Sequence, residues 1–312
     1  MQSGHPPPVV RIGTRGSPLA LAQAHAVRAH LAALPALAAT ELEVAVIRTS
    51  GDRIQDRPLS EVGGKGLFTK EIEAALLSGE IDIAVHSSKD MPTVLPEGLE
   101  LAAFLEREDV RDAFVSPVAA TLREMPARAV LGTSSLRRRA MALRIRPDLR
   151  VVDFRGNVET RLRKLSEGVA EATLLAKAGL NRLGLSAHAT SLIDIDDFLP
   201  AVGQGAVAIE MRTDDVAIRP FVERIGDEAT RIALQAERAF LAVLDGSCRT
   251  PIGGLARIEN GRVVFRGIVL APDGSRAEQV QLHGAIGEAA ELGAAAATEL
   301  IGRGGRDFFT RA

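Results

Sequence analysis

The sequence predicts an α/β fold followed by a separate α+β domain. Short apolar strands alternate with helices from Val9 to about Leu175, which is typical of a mainly parallel sheet with helices on both faces. From about residue 222 the pattern changes to a long helix, antiparallel strands and an Ala-rich terminal helix. A chain of 312 residues with 46% hydrophobic content is long enough for two or three domains.

The individual elements follow from hydrophobic periodicity and from capping residues. Strands are predicted over residues 9–12, 41–49, 81–85, 99–104, 113–116, 130–132, 149–153 and 172–175. Helices are predicted over residues 19–34, 69–77, 134–143 and 227–244, with one more that Asn157 caps. Residues 50–66 form a long Gly-rich loop, and residues 253–284 form antiparallel strands with a hairpin turn at residues 272–274.

Composition argues against several classes of protein. No apolar run approaches the roughly 18 residues of a membrane span, and the polar, Pro-rich start lacks the pattern of a signal sequence, so we expect a cytoplasmic protein. One cysteine excludes an internal disulfide and a multi-cysteine metal cluster, and the six histidines show no close ligand spacing, so no metal site is predicted. Trp and Tyr are absent, which disfavours a platform of stacked aromatic rings.

The formal net charge of −2 is unevenly distributed along the chain. Residues 131–164 contain ten basic and three acidic side chains, so this segment is +7 and the remainder of the chain is −9. A positive segment of this size indicates an anionic ligand.

Guanidinium groups follow three predicted strands, at the points where each strand leads into a helix. The three junctions lie at residues 14–17, 132–138 and 154–161. Cations are unfavourable in the first turn of a helix, so Arg137 and Arg138 suggest that a bound anion offsets the helix dipole. We expect the three junctions to lie in one parallel sheet and to point at one crevice, with arginines suited to bidentate carboxylate recognition. The alternative is ordinary capping with solvated arginines.

Lys89 and Asp90 are adjacent charges that follow a buried strand. A carboxylate at this position could stabilise a developing cation or transfer a proton. The alternative is a structural ion pair. His86, directly after the predicted strand, is interpreted as a packing residue with a satisfied hydrogen bond rather than a base.

The single cysteine, Cys248, lies in a turn after a long helix and outside any apolar stripe. A thiolate is a strong nucleophile and forms stable thioethers, so Cys248 is a candidate for carrying a covalent group. A lone cysteine is also commonly a small core residue. The sequence around it leaves both readings open.

Taken together, these motifs resemble the porphobilinogen deaminase (hydroxymethylbilane synthase) family. They occur in the family's order over about residues 11–255, and the last 55 residues match in pattern only. The matching segments are residues 14–21 (TRGSPLAL), 63–68 (GGKGLF), 84–90 (AVHSSKD), 132–138 (GTSSLRR), 155–158 (RGNV), 178–184 (AGLNRLG), 199–205 (LPAVGQG) and the segment around Cys248.

The resemblance implies two lobes like those of periplasmic binding proteins plus a C-terminal α+β domain, with the chain crossing between the lobes twice. Domain 1 would comprise residues 1–105 and 201–221 and carry the catalytic aspartate. Domain 2, residues 106–200, would be the Arg-rich lobe that binds carboxylates. Domain 3, residues 222–312, would carry the cysteine that anchors the cofactor.

The resemblance also implies a transferase reaction in tetrapyrrole and haem biosynthesis. Four porphobilinogen molecules would be joined head to tail with loss of ammonia, through a cationic azafulvene formed from each substrate, and hydrolysis would release hydroxymethylbilane. The implied cofactor is dipyrromethane, attached to Cys248 by a thioether. A monomer is implied, which passes its product to uroporphyrinogen III synthase and binds no nucleic acid, membrane or metal.

Site residues are assigned by their match to the family's motifs. Asp90 matches the catalytic carboxylate, with Lys89 beside it. Contacts to the cofactor are implied for Cys248, Arg15, Ser17, Lys89, Ser135, Arg137, Arg138, Arg155, Gly156, Asn157, Arg161 and Gln204. Contacts to the substrate are implied for Arg15, Lys65, Phe68, Arg155 and Arg182.

The chain departs from the family's usual pattern at a few positions. Arg249 stands where a Gln or another polar residue is common, and could add a carboxylate contact. Residues 171–173 (EAT) replace a more apolar run, and Gly16 and Ser88 replace bulkier residues. None of these changes removes a proposed catalytic group.

Three other functions are compatible with parts of the sequence. A two-lobed binding protein without catalysis would share the fold but would not need Cys248. A nucleic-acid binder could use the +7 segment, although the overall charge and the absence of Trp and Tyr argue against it. A cysteine hydrolase would need a base, and none lies near Cys248 in the sequence.

Overall fold

The computed structural model describes residues 8–53, 69–244 and 250–304. In chain order its strands are β1 (Val9–Thr14), β2 (Glu41–Val46), β3 (Ile83–Ser87), β4 (Leu99–Phe104), β5 (Asp112–Val115), β6 (Val130–Gly132), β7 (Arg150–Val152), β8 (Ala172–Ala176), β9 (Ser191–Leu192), β10 (Val207–Arg212), β11 (Ile252–Glu259), β12 (Arg262–Leu270) and β13 (Ala277–Ala285).

The helices of the described residues are α1 (Pro18–Ala32), α2 (Ser50–Arg53), α3 (Lys70–Ser78), α4 (Leu136–Ile145), α5 (Val158–Ser166), α6 (Lys177–Arg182), α7 (Arg219–Arg224), α8 (Glu228–Val243) and α9 (Ala289–Gly304). Short 3₁₀ turns cover Pro35–Leu37, Ser88–Asp90, Ser186–His188 and Ile286–Glu288. No helix among the described residues is both long and apolar enough to span a bilayer.

The chain forms two compact units. Among the described residues, the first comprises residues 8–53, 69–108 and 206–231, and the second comprises residues 109–205, 232–244 and 250–304. The chain therefore passes from the first unit to the second after Glu108, returns at Ala206 and leaves again after Arg231.

The first unit contains a five-stranded sheet in the order β2-β1-β3-β10-β4. β1 is parallel to both β2 and β3, whereas β10 is antiparallel to β3 and β4. Its core packs apolar residues of α1 against one group of strand residues, and apolar residues of α3 form a second cluster with β3 and β4.

The second unit contains a five-stranded sheet in the order β7-β6-β8-β5-β9. β6 is parallel to β7 and β8, and β5 is antiparallel to β8 and β9, which is the arrangement of the first sheet. The same unit holds the antiparallel sheet β11-β12-β13, on which α8 and α9 pack with a shared core. Phe240 and Phe265 meet at the centre of that core, with ring centroids 4.8 Å apart.

The predicted fold class, α/β with two sheet-containing lobes and a C-terminal α+β domain, is confirmed. The hairpin turn of residues 272–274 is confirmed too, because Gly274 has φ +74° and its N–H donates to Ala271. Gly79 ends α3 in the left-handed conformation, as predicted.

One expectation about the sheets is wrong. The three strand-to-helix junctions do not belong to one parallel sheet, since β1 lies in one sheet and β6 and β7 lie in another. Each sheet is mainly parallel, as predicted, because four of its five strands run in one direction and only β10 in the first sheet and β5 in the second run the other way. The predicted loop of residues 50–66 begins as a helix, α2, and its residues 54–66 lie outside the described part of the chain.

Candidate active site

In the first unit, two strand ends lie side by side beneath the predicted catalytic residues. β1 and β3 are parallel neighbours, so the segments that follow them emerge at the same edge of the sheet. A reciprocal hydrogen-bonded pair joins them: Gln23 Nε2 donates to Ser87 Oγ at 3.0 Å, and Ser87 Oγ donates to Gln23 Oε1 at 3.1 Å. Gln23 is buried, so this contact fixes the end of β3 against α1.

Lys89 and Asp90 belong to the 3₁₀ turn that directly follows β3, and both side chains are exposed. The turn is fixed from below, because the N–H of Ser88 donates to Ala206 O and that of Met91 donates to Ser88 O. An exposed carboxylate on a fixed turn is accessible to a ligand without a change in the fold.

Ser17 and Arg15 lie at the junction between β1 and α1. Ser17 is the N-cap, and its hydroxyl accepts a hydrogen bond from Ala20 N at 3.3 Å. Thr14 donates its hydroxyl to Ala20 O, which closes the turn. Arg15 is half-buried at this helix N-terminus, where exposed N–H groups favour an anion.

A buried acid–histidine cluster lies on the face of the first sheet that packs against α3. His86 Nε2 is 3.0 Å from Glu210 Oε2, and both residues are buried. Glu73 of α3 interacts electrostatically with both of them, and burial, reinforced by Glu210, raises its pKa. The interpretation of His86 as a packing residue with a satisfied hydrogen bond is confirmed.

In the second unit, the junctions after β6 and β7 contact each other directly. These strands are parallel neighbours, and Phe154 N donates to Ser134 Oγ at 2.9 Å. The approach is close at Gly132, where an added Cβ would lie 2.5 Å from Phe154 Cγ. Two of the three predicted junctions therefore do converge.

Arg137 and Arg138 lie in the first turn of α4 and are bound to one buried carboxylate. Asp112 on β5 is fully buried, and each arginine is only 5% exposed. Arg137 Nη2 donates to Asp112 Oδ2 at 2.7 Å, whereas Arg138 donates to Oδ1 from Nη2 at 2.7 Å and from Nε at 3.0 Å. Burial alone would raise the pKa of Asp112, but the two guanidinium groups outweigh it and lower the pKa to about 2.

Further contacts complete the surroundings of the two arginines. Arg137 Nη1 donates to Leu199 O at 2.8 Å, and its guanidinium carbon lies 5.5 Å from the centre of the Phe198 ring. Ser135 is the N-cap of α4 and accepts from Arg138 N at 3.4 Å. The unfavourable cations at this helix N-terminus are therefore offset at least in part by an internal anion.

Gln204 and Arg182 hold the segment that leads out of the second unit. Gln204 is buried and donates Nε2 to Val110 O at 2.8 Å and to Asp112 Oδ1 at 3.2 Å. Arg182 Nη2 donates to Gly205 O at 2.6 Å. Both are predicted ligand contacts, and both also have structural hydrogen bonds.

The junction after β7 carries the remaining predicted residues. Asn157 is the N-cap of α5 and accepts from Thr160 N at 2.8 Å. Gly156 has φ +119°, and its carbonyl accepts from Arg161 Nε at 2.9 Å. Arg155 is half-buried, and its carbonyl accepts from Lys164 Nζ. A side chain at residue 156 would be strained, because its Cβ would lie 2.5 Å from Thr160.

Three predicted site residues, Cys248, Lys65 and Phe68, lie outside the described residues, as does Arg249. Their assignments stay predictions.

Asp112 is the residue that reasoning from the sequence missed. The available signal was an acid at the start of an otherwise apolar strand, Asp112–Val115. A charged side chain in a buried strand requires a charged partner, and the basic segment offered several.

The residues of the second unit fit a ligand that carries carboxylates. Arg137 Nε is buried and has no hydrogen-bond acceptor among the described residues. Two guanidinium groups against one carboxylate leave the Asp112 cluster with a net charge of +1, and Arg155 and Arg161 add further positive charge nearby in the sequence. Guanidinium groups are the donors that carboxylates prefer.

Comparisons with known proteins agree with this chemistry. Residues 10–220 match the family model "Porphobilinogen deaminase, dipyromethane cofactor binding domain", and residues 232–302 match "Porphobilinogen deaminase, C-terminal domain". A protein of Nitrobacter hamburgensis named porphobilinogen deaminase is 61% identical over 308 residues, which cover 99% of this chain and 98% of that protein. A protein of the same name from Paracoccus denitrificans is 55% identical over 300 residues, 96% of each chain.

Among solved structures, a putative methionine-binding lipoprotein from Bacillus subtilis is similar with a TM-score of 0.41 and 13% sequence identity. The match covers 72% of this chain and 92% of the lipoprotein.

Proposed function

Because this chain belongs to the porphobilinogen deaminase family, we propose that it joins four porphobilinogen molecules head to tail and releases the product by hydrolysis as hydroxymethylbilane. Each joining step breaks the bond to the substrate's amino group, which leaves as ammonia, and forms a carbon–carbon bond to the next pyrrole ring. The ring carbon that attacks then loses its proton, which restores the aromatic pyrrole. The observation that carries this proposal is the exposed Asp90 on its fixed turn, in a chain that also holds a cluster of arginines suited to carboxylates.

Asp90 is assigned the catalytic role. Loss of ammonia leaves positive charge on the substrate's pyrrole ring, including its N–H group. The Asp90 carboxylate accepts a hydrogen bond from that N–H and stabilises the developing charge, since a fixed charge close to the reacting atoms lowers the barrier most effectively. Lys89, exposed beside it, is suited to a substrate carboxylate.

The arginines are assigned to the carboxylates of the substrate and the growing chain. Each porphobilinogen brings an acetate and a propionate, so negative charge accumulates as units are added. Arginine keeps its charge at every working pH and can bind a carboxylate through two parallel hydrogen bonds. Arg15, Arg155 and Arg182, together with Lys65 and Phe68, are assigned to the substrate.

Dipyrromethane is the proposed cofactor, held by a thioether to Cys248. When bound, it supplies the pyrrole end to which the first substrate unit is joined. Cys248 is the only thiol of the chain, and the family model that matches residues 10–220 describes a cofactor-binding domain. The residues assigned to hold it are Arg15, Ser17, Lys89, Ser135, Arg137, Arg138, Arg155, Gly156, Asn157, Arg161 and Gln204.

Four finer statements belong to the same proposal and rest on family membership. The enzyme is a transferase, works in the cytoplasm, acts as a monomer and delivers its product to uroporphyrinogen III synthase. The three predicted domains, residues 1–105 with 201–221, 106–200 and 222–312, complete the proposal.

Intact mass spectrometry tests the cofactor and its anchor together. Wild-type protein expressed in a porphyrin-making host should weigh more than its sequence by one dipyrromethane unit. Cys248→Ser should weigh only what its sequence predicts, because it lacks the sulfur that forms the thioether. A wild-type protein without added mass contradicts the cofactor assignment, and an adduct that persists in Cys248→Ser moves the anchor to another residue.

A further inference from the structure

We propose that Asp112 is a positioning residue, which orients the guanidinium groups of Arg137 and Arg138 so that their remaining N–H groups bind one carboxylate of the bound ligand. The inference rests on the proposed function, because it takes that ligand to be the cofactor or the chain that grows from it.

Asp112 itself is enclosed by protein groups that donate hydrogen bonds to it. Its Oδ2 accepts from Arg137, and its Oδ1 accepts from Arg138 twice and from Gln204. The side chain is fully buried, so it acts only through the groups that donate to it. Any effect of Asp112 on the ligand must therefore pass through the two arginines.

After the hydrogen bonds to Asp112 are formed, Arg137 and Arg138 each keep an N–H group without an acceptor among the described residues. Arg138 uses Nε and Nη2, and its Nη1 has no acceptor among the described residues. Arg137 uses Nη2 for Asp112 and Nη1 for Leu199 O, and its buried Nε has no acceptor in the described part of the chain. A buried N–H without a partner is unfavourable, which indicates that a group supplied from outside accepts from it.

The charge of the cluster indicates the same kind of ligand. Asp112 is ionised at neutral pH, since its pKa is about 2, and both arginines are protonated. The cluster therefore carries a net charge of +1 in a setting where unpaired charge is costly. A single carboxylate would neutralise the cluster and supply acceptors for the unused donors.

The fold places this unpaired charge at a predicted binding edge. Arg137 and Arg138 occupy the first turn of α4, after the N-cap Ser135, and the adjacent junction after β7 is joined to it through Ser134 and Phe154. A carboxylate bound here would also lie near the N–H groups of a helix N-terminus, which favours an anion.

The decisive experiment separates orientation from charge. Asp112→Asn raises the cluster's charge from +1 to +2, so attraction alone would keep or increase binding of a ligand rich in carboxylates. If Asp112 instead acts by orienting the two arginines, binding of this ligand should weaken in Asp112→Asn. We expect the ratio of adduct-bearing to adduct-free protein, measured by intact mass, to fall by at least about tenfold, because misplacing a binding group by about 1 Å can cost a hundredfold.

Three variants keep the test interpretable. Asp148→Asn changes an aspartate that also pairs with an arginine in the second unit but is not buried, and it should load normally. Leu175→Ala opens the core on the other face of the same sheet, because Leu175 pairs with Ala113 and strand side chains alternate between the two faces. It therefore reports what loss of stability alone does to loading. Asp112→Glu keeps the charge, and its loading ratio should also fall while the protein stays folded by circular dichroism.

Loading of Asp112→Asn and Asp112→Glu at the wild-type level would overturn the inference and leave the proposed function standing, because the wild-type adduct would still be present. An equal loss of loading in Leu175→Ala, if its melting temperature matches that of Asp112→Asn, would overturn it as well, since loading would then follow stability. Absence of the adduct from wild-type protein would overturn both proposals.

Discussion

In each five-stranded sheet a buried acid lies on the antiparallel strand next to the third parallel strand: Glu210 on β10 in the first unit and Asp112 on β5 in the second. The partners differ. Glu210 faces His86 and a second acid, Glu73, whereas Asp112 faces two arginines. The same strand order therefore supports an acidic interior in one unit and a net positive one in the other.

This difference shows how two similar frameworks can take on complementary tasks. The cluster of the first unit sets two carboxyl groups against one imidazole, so basic groups are not in excess there. The cluster of the second unit sets two guanidinium groups against one carboxylate, so it keeps a net positive charge until an anion binds. The proposed catalytic carboxylate, Asp90, belongs to the first unit, and most of the proposed carboxylate-binding arginines belong to the second.

The largest effect should come from removing the exposed acid of the first unit. Asp90→Ala is expected to lower kcat by at least about a hundredfold, because the pyrrole cation loses its stabilising charge. Asp90 is exposed, so the melting temperature should hardly change. Turnover is measured from the release of ammonia, and folding from circular dichroism.

Asp214→Asn is the matched control, since Asp214 is an exposed acid of the same unit. It should retain wild-type turnover. Wild-type activity in Asp90→Ala would remove Asp90 from the mechanism, and an equal loss in Asp214→Asn would point to the net charge of the unit instead.

The second effect compares the two buried acids directly through stability. Asp112→Asn should lower the free energy of unfolding by about 3–5 kcal/mol, because it leaves two buried guanidinium groups without a counter-charge. Glu210→Gln should cost about 1–3 kcal/mol, because the amide that replaces the carboxylate can still form a hydrogen bond with His86. Urea unfolding followed by circular dichroism measures both, since the chain has no Trp or Tyr for fluorescence.

Equal losses in the two variants would contradict the comparison, because they would mean that replacing Glu210 costs as much as leaving two buried guanidinium groups without a counter-charge. Asp148→Asn provides the baseline for a paired aspartate outside the core, and its loss of stability should be the smallest of the three.

Reasoning from the sequence identified the strands, caps and charged junctions because these depend on neighbours along the chain. Asn157 is an N-cap as predicted, since capping needs only the next three residues, and Ser17 and Ser135 cap the other two helices at the predicted junctions. The pairing of Asp112 with arginines 25 and 26 residues away could not be predicted, because it depends on where β5 inserts. The local sequence predicted that an anion offsets the positive charges of Arg137 and Arg138. In the folded protein Asp112 supplies one such anion.

The smallest effect is on the pH dependence of stability, where the two units should respond in opposite directions. Arg137 and Arg138 hold the pKa of Asp112 at about 2 in the folded protein, against an ordinary value of 3.8. Its carboxylate therefore stabilises the fold above about pH 4, by about 2 kcal/mol, and this contribution is lost as the pH falls toward 2.

Burial, with a smaller contribution from Glu210, raises the pKa of Glu73 above its ordinary value. Its contribution to stability is therefore present below about pH 4 and is lost as the pH rises through the folded-state pKa. Urea unfolding of the wild type, Glu73→Gln and Asp112→Asn across the pH range should show this. Relative to wild type, Glu73→Gln should become less stabilising as the solution is acidified from neutral pH to 4, and Asp112→Asn should become less destabilising between pH 4 and 2. If the stability relative to wild type changed in the same direction on acidification for both variants, the two buried acids would not face surroundings of opposite charge.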